Sequence, residues 1–592
     1  MFSVEKRDPD MPAASPLPAS GVRSSFAQSV LASRTDRGLK SHHTAIDLAG
    51  IVAAVALFCT LGLSHLGLPG LYQDEALDVA PAARLLRGES WPYALCPSSV
   101  ALPLMVCDHV GPTSTYLMLP FLSGFGINLT AVRVYEFAVG LAALALTFLF
   151  ARRVLPRGTA WIAALLLAAM PSFWLACRNG LHVSFVVVPL AAGALVCFDR
   201  WCRERQSFWF HVGCFLLGVG VSTKILFIWF VAALLVGVLV VEPRLLRRLS
   251  GRQVGAGLAW FVAGCAPFLA FIVLSRGLTL RTILANLTTT SYGVSNTAFP
   301  ANLWTQLHSF ARILNGGWLD WTGVAPRNWI SPGLFALSAA YLLTRGRRPE
   351  LHRLHLSLVA VVVIVLASCF TITTLGPKHL VLLLPFLTVV VAGAIGTAWK
   401  QRARPASLAV LLLLAILCAA QFAWDLGNDY RYLRSLAVTG GTGLFSSANN
   451  RLSEYLVAHR IRQPLAGDWG FDSNLEVLSR GNVRVRQVFE LAERPPFAFT
   501  RQQVRSALRD ADSVYLFHAP SYAAAPGRLE AFLAEARDAS VALAPAVSFR
   551  DGLGRPVIVL YSRKQSRLAS ATARGREGAA QHALASGGRS LA

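Results

Sequence analysis

The sequence predicts an all-α polytopic membrane protein of about eleven spanning helices, followed by a small C-terminal α/β domain. Composition points there first: of 592 residues, 54% are hydrophobic and only 15% charged, with a mean hydropathy of +0.50. Soluble domains carry about 45–50% apolar and about 25% charged residues. Apolar runs approaching the length of a bilayer crossing then recur along the chain. Arginine clusters punctuate every second loop between them, the pattern of loops retained on the cytoplasmic side. A net charge of +24 would otherwise suggest nucleic acid. Its concentration in short loops between apolar runs argues against that partner.

The residues before Lys40 are rich in Ser, Pro, Ala and Arg without apolar periodicity. They predict a disordered cytoplasmic tail over 1–45. The first apolar run lacks a small-residue cleavage site and reads as a retained helix. Spans are expected near 48–68, 131–151, 158–176, 183–198, 208–222, 225–241, 254–275, 331–344, 354–375, 380–398 and 406–424. With the N-terminus inside, the basic loops at Arg152–Arg157, Arg200–Arg205, Arg244–Arg252, Arg345–Arg353 and Lys400–Arg404 all fall inside.

That agreement decides the segment Thr113–Phe125, which is apolar but about 13 residues long, too short to span. Counting it as a span would reverse every later loop, so it is expected to lie in the outer interface. Residues 70–130 then form one long outer loop within a membrane domain over 46–424. Residues 425–564 have ordinary polarity. Ser513–His518 and Pro556–Tyr561 read as strands, and Thr500–Ala511 and Pro526–Ala539 as amphipathic helices, giving an extracytoplasmic α/β domain. The stretch 565–592 reads as a second disordered tail.

Ten cysteines are scattered with no C-x-x-C pair, and no metal site is expected. Cys96 and Cys107 share the first outer loop, where either a disulfide or two buried thiols would fit. No phosphate-binding G-x(4)-G-K-[ST] loop is present.

The segment after the first span is the most informative. Asp74 and Glu75 fall at the start of a helix just beyond the membrane edge. Acids there are favoured by the helix dipole alone, but a carboxylate at that depth can also deprotonate an acceptor hydroxyl or amine. Under the charge-derived topology Arg178, His182, Lys224, Lys378 and His379 also fall at the outer edge. The chain has only six Lys, and two of them are these. A cation ending an apolar helix often merely snorkels to the interface, yet several on the side that basic residues avoid suggest an anionic ligand.

The pattern Asp74-Glu75-Ala76-x(7)-Arg84-x(3)-Gly88 after the first span resembles the GT-C superfamily of polyprenyl-phosphate-sugar-dependent glycosyltransferases. Within it the chain is most similar to the protein mannosyltransferase, aminoarabinose transferase and RgtA/B/C/D-like group (glycosyltransferase family 39 and relatives). The resemblance continues through Tyr116–Gly126, an interface helix ending in a Phe-Gly turn, and Arg133, which opens the next span. It also takes in Gly218–Lys224, similar to the family's G-x(4)-T-K segment, and Lys378–Pro385, similar to its Arg-Tyr-x(5)-Pro segment. It covers roughly residues 45–400. There are departures: His109-Val-Gly-Pro112 stands where relatives have a basic residue and Pro-Pro. Arg178–His182 lacks an Asp, and Lys378–His379 replaces Arg–Tyr.

The resemblance implies an inverting transfer of a sugar from a polyprenyl-phosphate donor to an unidentified glycan, lipid or protein acceptor on the extracytoplasmic side of the cell (inner) membrane. Asp74 would be the general base with Glu75 in support. Lys224, Lys378, Arg178 and His379 would hold the donor phosphate, and His109, His182 and Asp320 are candidate substrate contacts. The Trp318–Trp321 segment reads more simply as interfacial Trp. No cofactor is implied, since the sugar arrives already activated, though Asp74 could join a divalent-metal site built from distant residues. The rival reading is a secondary transporter or lipid flippase. It expects charges at mid-depth and repeated halves, neither of which the sequence carries.

Overall fold

The computed structural model describes residues 44–96, 102–179, 185–346, 348–488, 500–510, 512–524 and 526–563. The tails expected at 1–45 and 565–592 lie outside this set, except for Thr44 and Ala45, which open the first helix.

Among the described residues, five helical segments are long and apolar enough to cross a bilayer: α1 (Thr44–Leu63), α4 (Leu129–Val154), Pro349–Ala367, Val381–Lys400 and α17 (Pro405–Thr439). The last part of the third is α15 (His352–Ala367), and of the fourth α16 (Leu384–Lys400). Two bent pairs raise the number to seven. They are α5 (Ala160–Ala169) with α6 (Pro171–Arg178), bent by 59°, and α10 (Gly251–Gly264) with α11 (Ala266–Leu274), bent by 63°. Each bend has a proline at the start of its second helix, where the missing N–H is least damaging.

The other four expected spans are helices too. They are α7 (Val187–Glu204), α8 (Ser207–Thr223), α9 (Ile228–Val241) and α14 (Ile330–Thr344). At 1.5 Å per residue they reach about 21–27 Å, less than the hydrocarbon thickness of about 30 Å. Hydropathy alone finds eleven segments; helices of membrane length number five to seven.

The short segments Thr113–Phe125 (α3) and Gln73–Leu86 (α2) pack on each other and on α4. α16 is buried from Leu384 to Ala398 and forms the centre of the bundle. α8 and α10 cross closely because Gly218 and Gly264 face each other. A Cβ on Gly218 would lie 2.0 Å from the Phe261 carbonyl oxygen. Trp318 and Trp321 are buried in the protein core and do not face lipid, contrary to the interfacial reading.

α17 runs fifteen residues past its expected end and stops at Gly440, whose φ of +68° suits glycine at a helix C-terminus. The C-terminal domain carries a mixed five-stranded sheet of order β2-β1-β3-β5-β4. Its strands are β1 (Leu465–Ala466), β2 (Arg486–Gln487), β3 (Tyr515–His518), β4 (Leu543–Arg550) and β5 (Pro556–Arg563). The central β1 pairs parallel with β2 and β3, while β5 runs antiparallel to β3 and β4. The expected strands correspond to β3 and β5. The expected helices correspond to Arg501–Ala507 and Arg528–Asp538.

Candidate active site

The helix α2 begins within a few residues of the end of α1 and is held on two sides. Toward the bundle, Glu75 is fully buried against Arg133 of α4, which also bonds Glu136 at 3.0 Å and the Arg178 carbonyl at 2.8 Å. Toward the C-terminal domain, Gln73 Oε1 accepts from Ser473 N at 3.0 Å. Arg84 donates twice to Glu476, at 2.7 and 2.5 Å, and Arg87 donates to the same carboxylate at 2.7 Å. Asn449 and Asn474 both donate to the Leu71 carbonyl. Asp74, between Gln73 and Glu75, is half-buried.

Lys224 occupies the break between α8 and α9, in extended backbone that caps α8. A short bridge pairs Val110 with Lys224. Beside it Gly111 N donates to the Thr223 carbonyl at 3.0 Å, and the Thr113 and Thr223 hydroxyls lie 2.6 Å apart. A Cβ on Gly111 would sit 2.0 Å from the Ser222 carbonyl oxygen, so the approach requires glycine.

Lys378 and His379 arrive from the turn Pro377–His379, ahead of α16. Lys224 Nζ and His379 Nδ1 are 3.4 Å apart. Burial pulls Lys224 down to about 7. Lys378 pushes the same way, while Asp74 and Asp78 oppose. Burial also lowers Lys378, and Asp74 again opposes. Two lysines and two acids therefore share one electrostatic field at this end of the bundle.

Several of its members were not singled out from sequence. Asp78 is buried, and desolvation raises its carboxyl to about 8, against a hydrogen bond with Ser114 and the Lys224 charge. Tyr72 and Tyr292 are both raised, by burial first and then by Asp74. Tyr72 stacks on Phe445 at 4.1 Å, and Trp469 of the C-terminal domain meets it edge-on at 5.9 Å. Asp108 bonds His109 at 2.6 Å and Thr282 at 2.6 Å. Burial alone would lower His109, but Cys107 and Asp108 outweigh it and hold the imidazole at about 10. Only Asp78 had a local signal, an acid one helical turn after Asp74. The others come from loops that the fold alone brings together.

Of the candidates, Asp74, Lys224, Lys378 and His379 gather at one site, with His109 on the strand-like segment beside Lys224. Glu75 is committed to Arg133, which suits the supporting role expected of it. Arg178 belongs to the Arg133–Glu136 network and donates to the His65 carbonyl. No described contact joins it to the lysines. Asp320 is exposed and opens the turn Asp320–Thr322. His182 lies outside the described residues. Cys107 carries a free thiol, so no disulfide joins it to Cys96.

Among the described residues one group has metal-ligand spacing, Cys107, Asp108 and His109, with donor atoms within 4.8 Å of one another. It was not foreseen, because three adjacent residues match no recurrent zinc spacing. Its Asp108–His109–Thr282 bonds already satisfy the carboxylate as an ion-pair network.

An acidic helix and paired lysines thus lie at one end of a many-helix bundle, with the C-terminal domain docked on that helix. Residues 109–271 match the family model for dolichyl-phosphate-mannose-protein mannosyltransferase, a segment that takes in α3, Arg133, Arg178 and Lys224. In fold the chain is similar to ArnT from Cupriavidus metallidurans in the apo state, with a TM-score of 0.58 at 14% identity, covering 87% of this chain and 97% of that one. The same protein bound to undecaprenyl phosphate gives 0.55 at 15% identity, with the same coverage. A search of the curated proteins found no match. Residues 109–271 are thus similar to that mannosyltransferase family, and the chain as a whole shares the fold of ArnT.

Proposed function

We propose that the chain transfers a sugar, with inversion, from a polyprenyl-phosphate donor to an acceptor on the extracytoplasmic face, using Asp74 as general base. The observation that carries this is the shared field of half-buried Asp74 with Lys224 and Lys378. The description of the matching family and the undecaprenyl phosphate bound to ArnT support the donor class.

In this reading the acceptor O–H or N–H gives its proton to Asp74 as its lone pair attacks the anomeric carbon. The bond from that carbon to the phosphate oxygen breaks, and polyprenyl phosphate leaves with the bonding electrons. Negative charge grows on the phosphate in the transition state. Fixed cations stabilise it most when water is excluded, which is the setting of Lys224 and Lys378. Burial lowers the proton affinity of these lysines, so a bound phosphate would restore it and binding would draw in a proton. Asp78, kept protonated near neutral pH by burial, does not compete with the phosphate for those cations.

Asp74→Asn, assayed for sugar transfer from a lipid-linked donor in membranes, should lose about 10²–10⁴-fold in turnover while donor binding persists. Wild-type turnover in correctly inserted protein would sink the base assignment.

A further inference from the structure

A second polar site lies at the opposite end of the bundle. α4 carries Arg133 near its first turn and Arg153 near its last, twenty residues and about 30 Å away along the axis. At the Arg153 end is a cavity of about 870 Å³, within the range of small-molecule sites, about 300–1,000 Å³. Its basic lining comes from the five basic loops expected on the inner side and the helix ends that flank them. Arg153, Arg203 and Arg353 converge on the buried carboxylate of Asp199, at 3.2, 2.9 and 2.8 Å. Arg244, Arg248, Arg348 and Lys400 complete the lining. Against these seven cations stand Glu242 and Glu350 in the lining and Asp199 behind it, a formal excess of four.

Loop arginines can act as topology signals only, and then they need not meet. Here one carboxylate gathers three of them. The first residues of α15, His352 and Arg353, also line the cavity. Two exposed apolar side chains directly precede lining residues in the chain: Val240 before Val241 at the end of the apolar helix α9, and Trp399 before Lys400 at the end of α16. The rim of the cavity therefore adjoins helix ends that acyl chains would reach.

We propose that this cavity binds the phosphate-bearing headgroup of an anionic phospholipid, at the membrane face opposite Asp74. Basic pockets between helix ends suit such headgroups, each Lys or Arg adding to the attraction. The site is separate from the transfer chemistry and does not depend on it.

The test uses the full chain in nanodiscs of phosphatidylcholine with one-tenth cardiolipin, followed by native mass spectrometry of the lipid retained on release. Wild type should keep bound cardiolipin, and R244Q/R248Q/R348Q should lose about tenfold or more of it. R157Q/R205Q/R252Q removes three exposed arginines that are outside the cavity lining, and should retain it. Equal loss in both variants would reduce the effect to general surface charge and overturn the proposal, as would equal retention. Thermal midpoints check that each variant is folded. If inorganic pyrophosphate displaces the lipid and binds lipid-free protein at the same concentration, the site takes a soluble phosphate and the lipid assignment fails.

Discussion

The Gly111→Ala substitution tests whether the contact between the first long loop and Lys224 aligns the site. A Cβ at position 111 would lie 2.0 Å from the Ser222 carbonyl oxygen, and ordinary contact begins at 3.4 Å. The two segments must therefore part by about 1.4 Å, because the obstacle is backbone. That separation breaks the 3.0 Å bond from Gly111 N to Thr223 and shifts Lys224 away from the Cys107–His109 segment. Overpacking of this kind costs about 1–3 kcal/mol, and misplacing a reacting geometry by about 1 Å costs about 100-fold in rate. Transfer from a lipid-linked donor in membranes should fall by about that factor, with a lowered melting midpoint in detergent. Gly333→Ala in α14 is the control, since a Cβ there meets nothing within 4 Å. Full turnover in Gly111→Ala would refute the claim that this contact positions Lys224.

Arg133→Met would strand Glu75 and Glu136 in the core. Leaving a buried ion pair half-complete costs about 3–5 kcal/mol, so the thermal midpoint should drop sharply; an unmoved midpoint would mean the network is dispensable. Glu476→Gln leaves Arg84 and Arg87 without their shared carboxylate. Limited proteolysis should then release the C-terminal domain faster than in wild type, and equal rates would contradict its docking role. Lys224, lowered to about 7 by burial, is mostly charged below that pH and mostly neutral above it. Phosphate binding needs the charged form, so the Kd for polyprenyl phosphate should be flat below pH 7. Above it the Kd should rise toward about tenfold per pH unit. A Kd unchanged between pH 7 and 9 would show that Lys224 does not meet the phosphate.

The membrane bundle was legible because hydropathy and charge are local signals. Thr113–Phe125 emerged with its expected ends, since counting loop charges forced it out of the span list. Lys224 and Lys378 stood out because lysine is scarce in this sequence. What stayed hidden depends on partners far along the chain. Glu75 is claimed by Arg133, 58 residues away, and Arg84 by Glu476, 392 residues away. Tyr292 and Asp108 join the site from loops without periodicity. β1 and β2 are two residues each, too short to carry an alternating pattern. The junction between α8 and α9 is legible as an outer segment, but the extended backbone there that presents Lys224 is a feature of the fold.

The anchoring of α2 bears on why Asp74, and not its neighbour, is available for chemistry. Successive residues on a helix point about 100° apart, so Gln73, Asp74 and Glu75 face three directions. Gln73 is tied to Ser473 of the C-terminal domain and Glu75 to Arg133 of the bundle. Between these two held neighbours, Asp74 bonds Tyr72 and acts on Lys224 and Lys378 through its charge. For the proposed role as base, a side chain held in place before substrate arrives contributes most to rate. The soluble domain thereby acts as half of a clamp on α2. Loosening it with Ser473→Pro, which removes the N–H that Gln73 accepts from, should lower turnover while leaving donor-phosphate affinity near wild type, because Lys224 and Lys378 are anchored elsewhere. A parallel loss of donor affinity would mean that the clamp supports the whole site and not the orientation of Asp74 in particular.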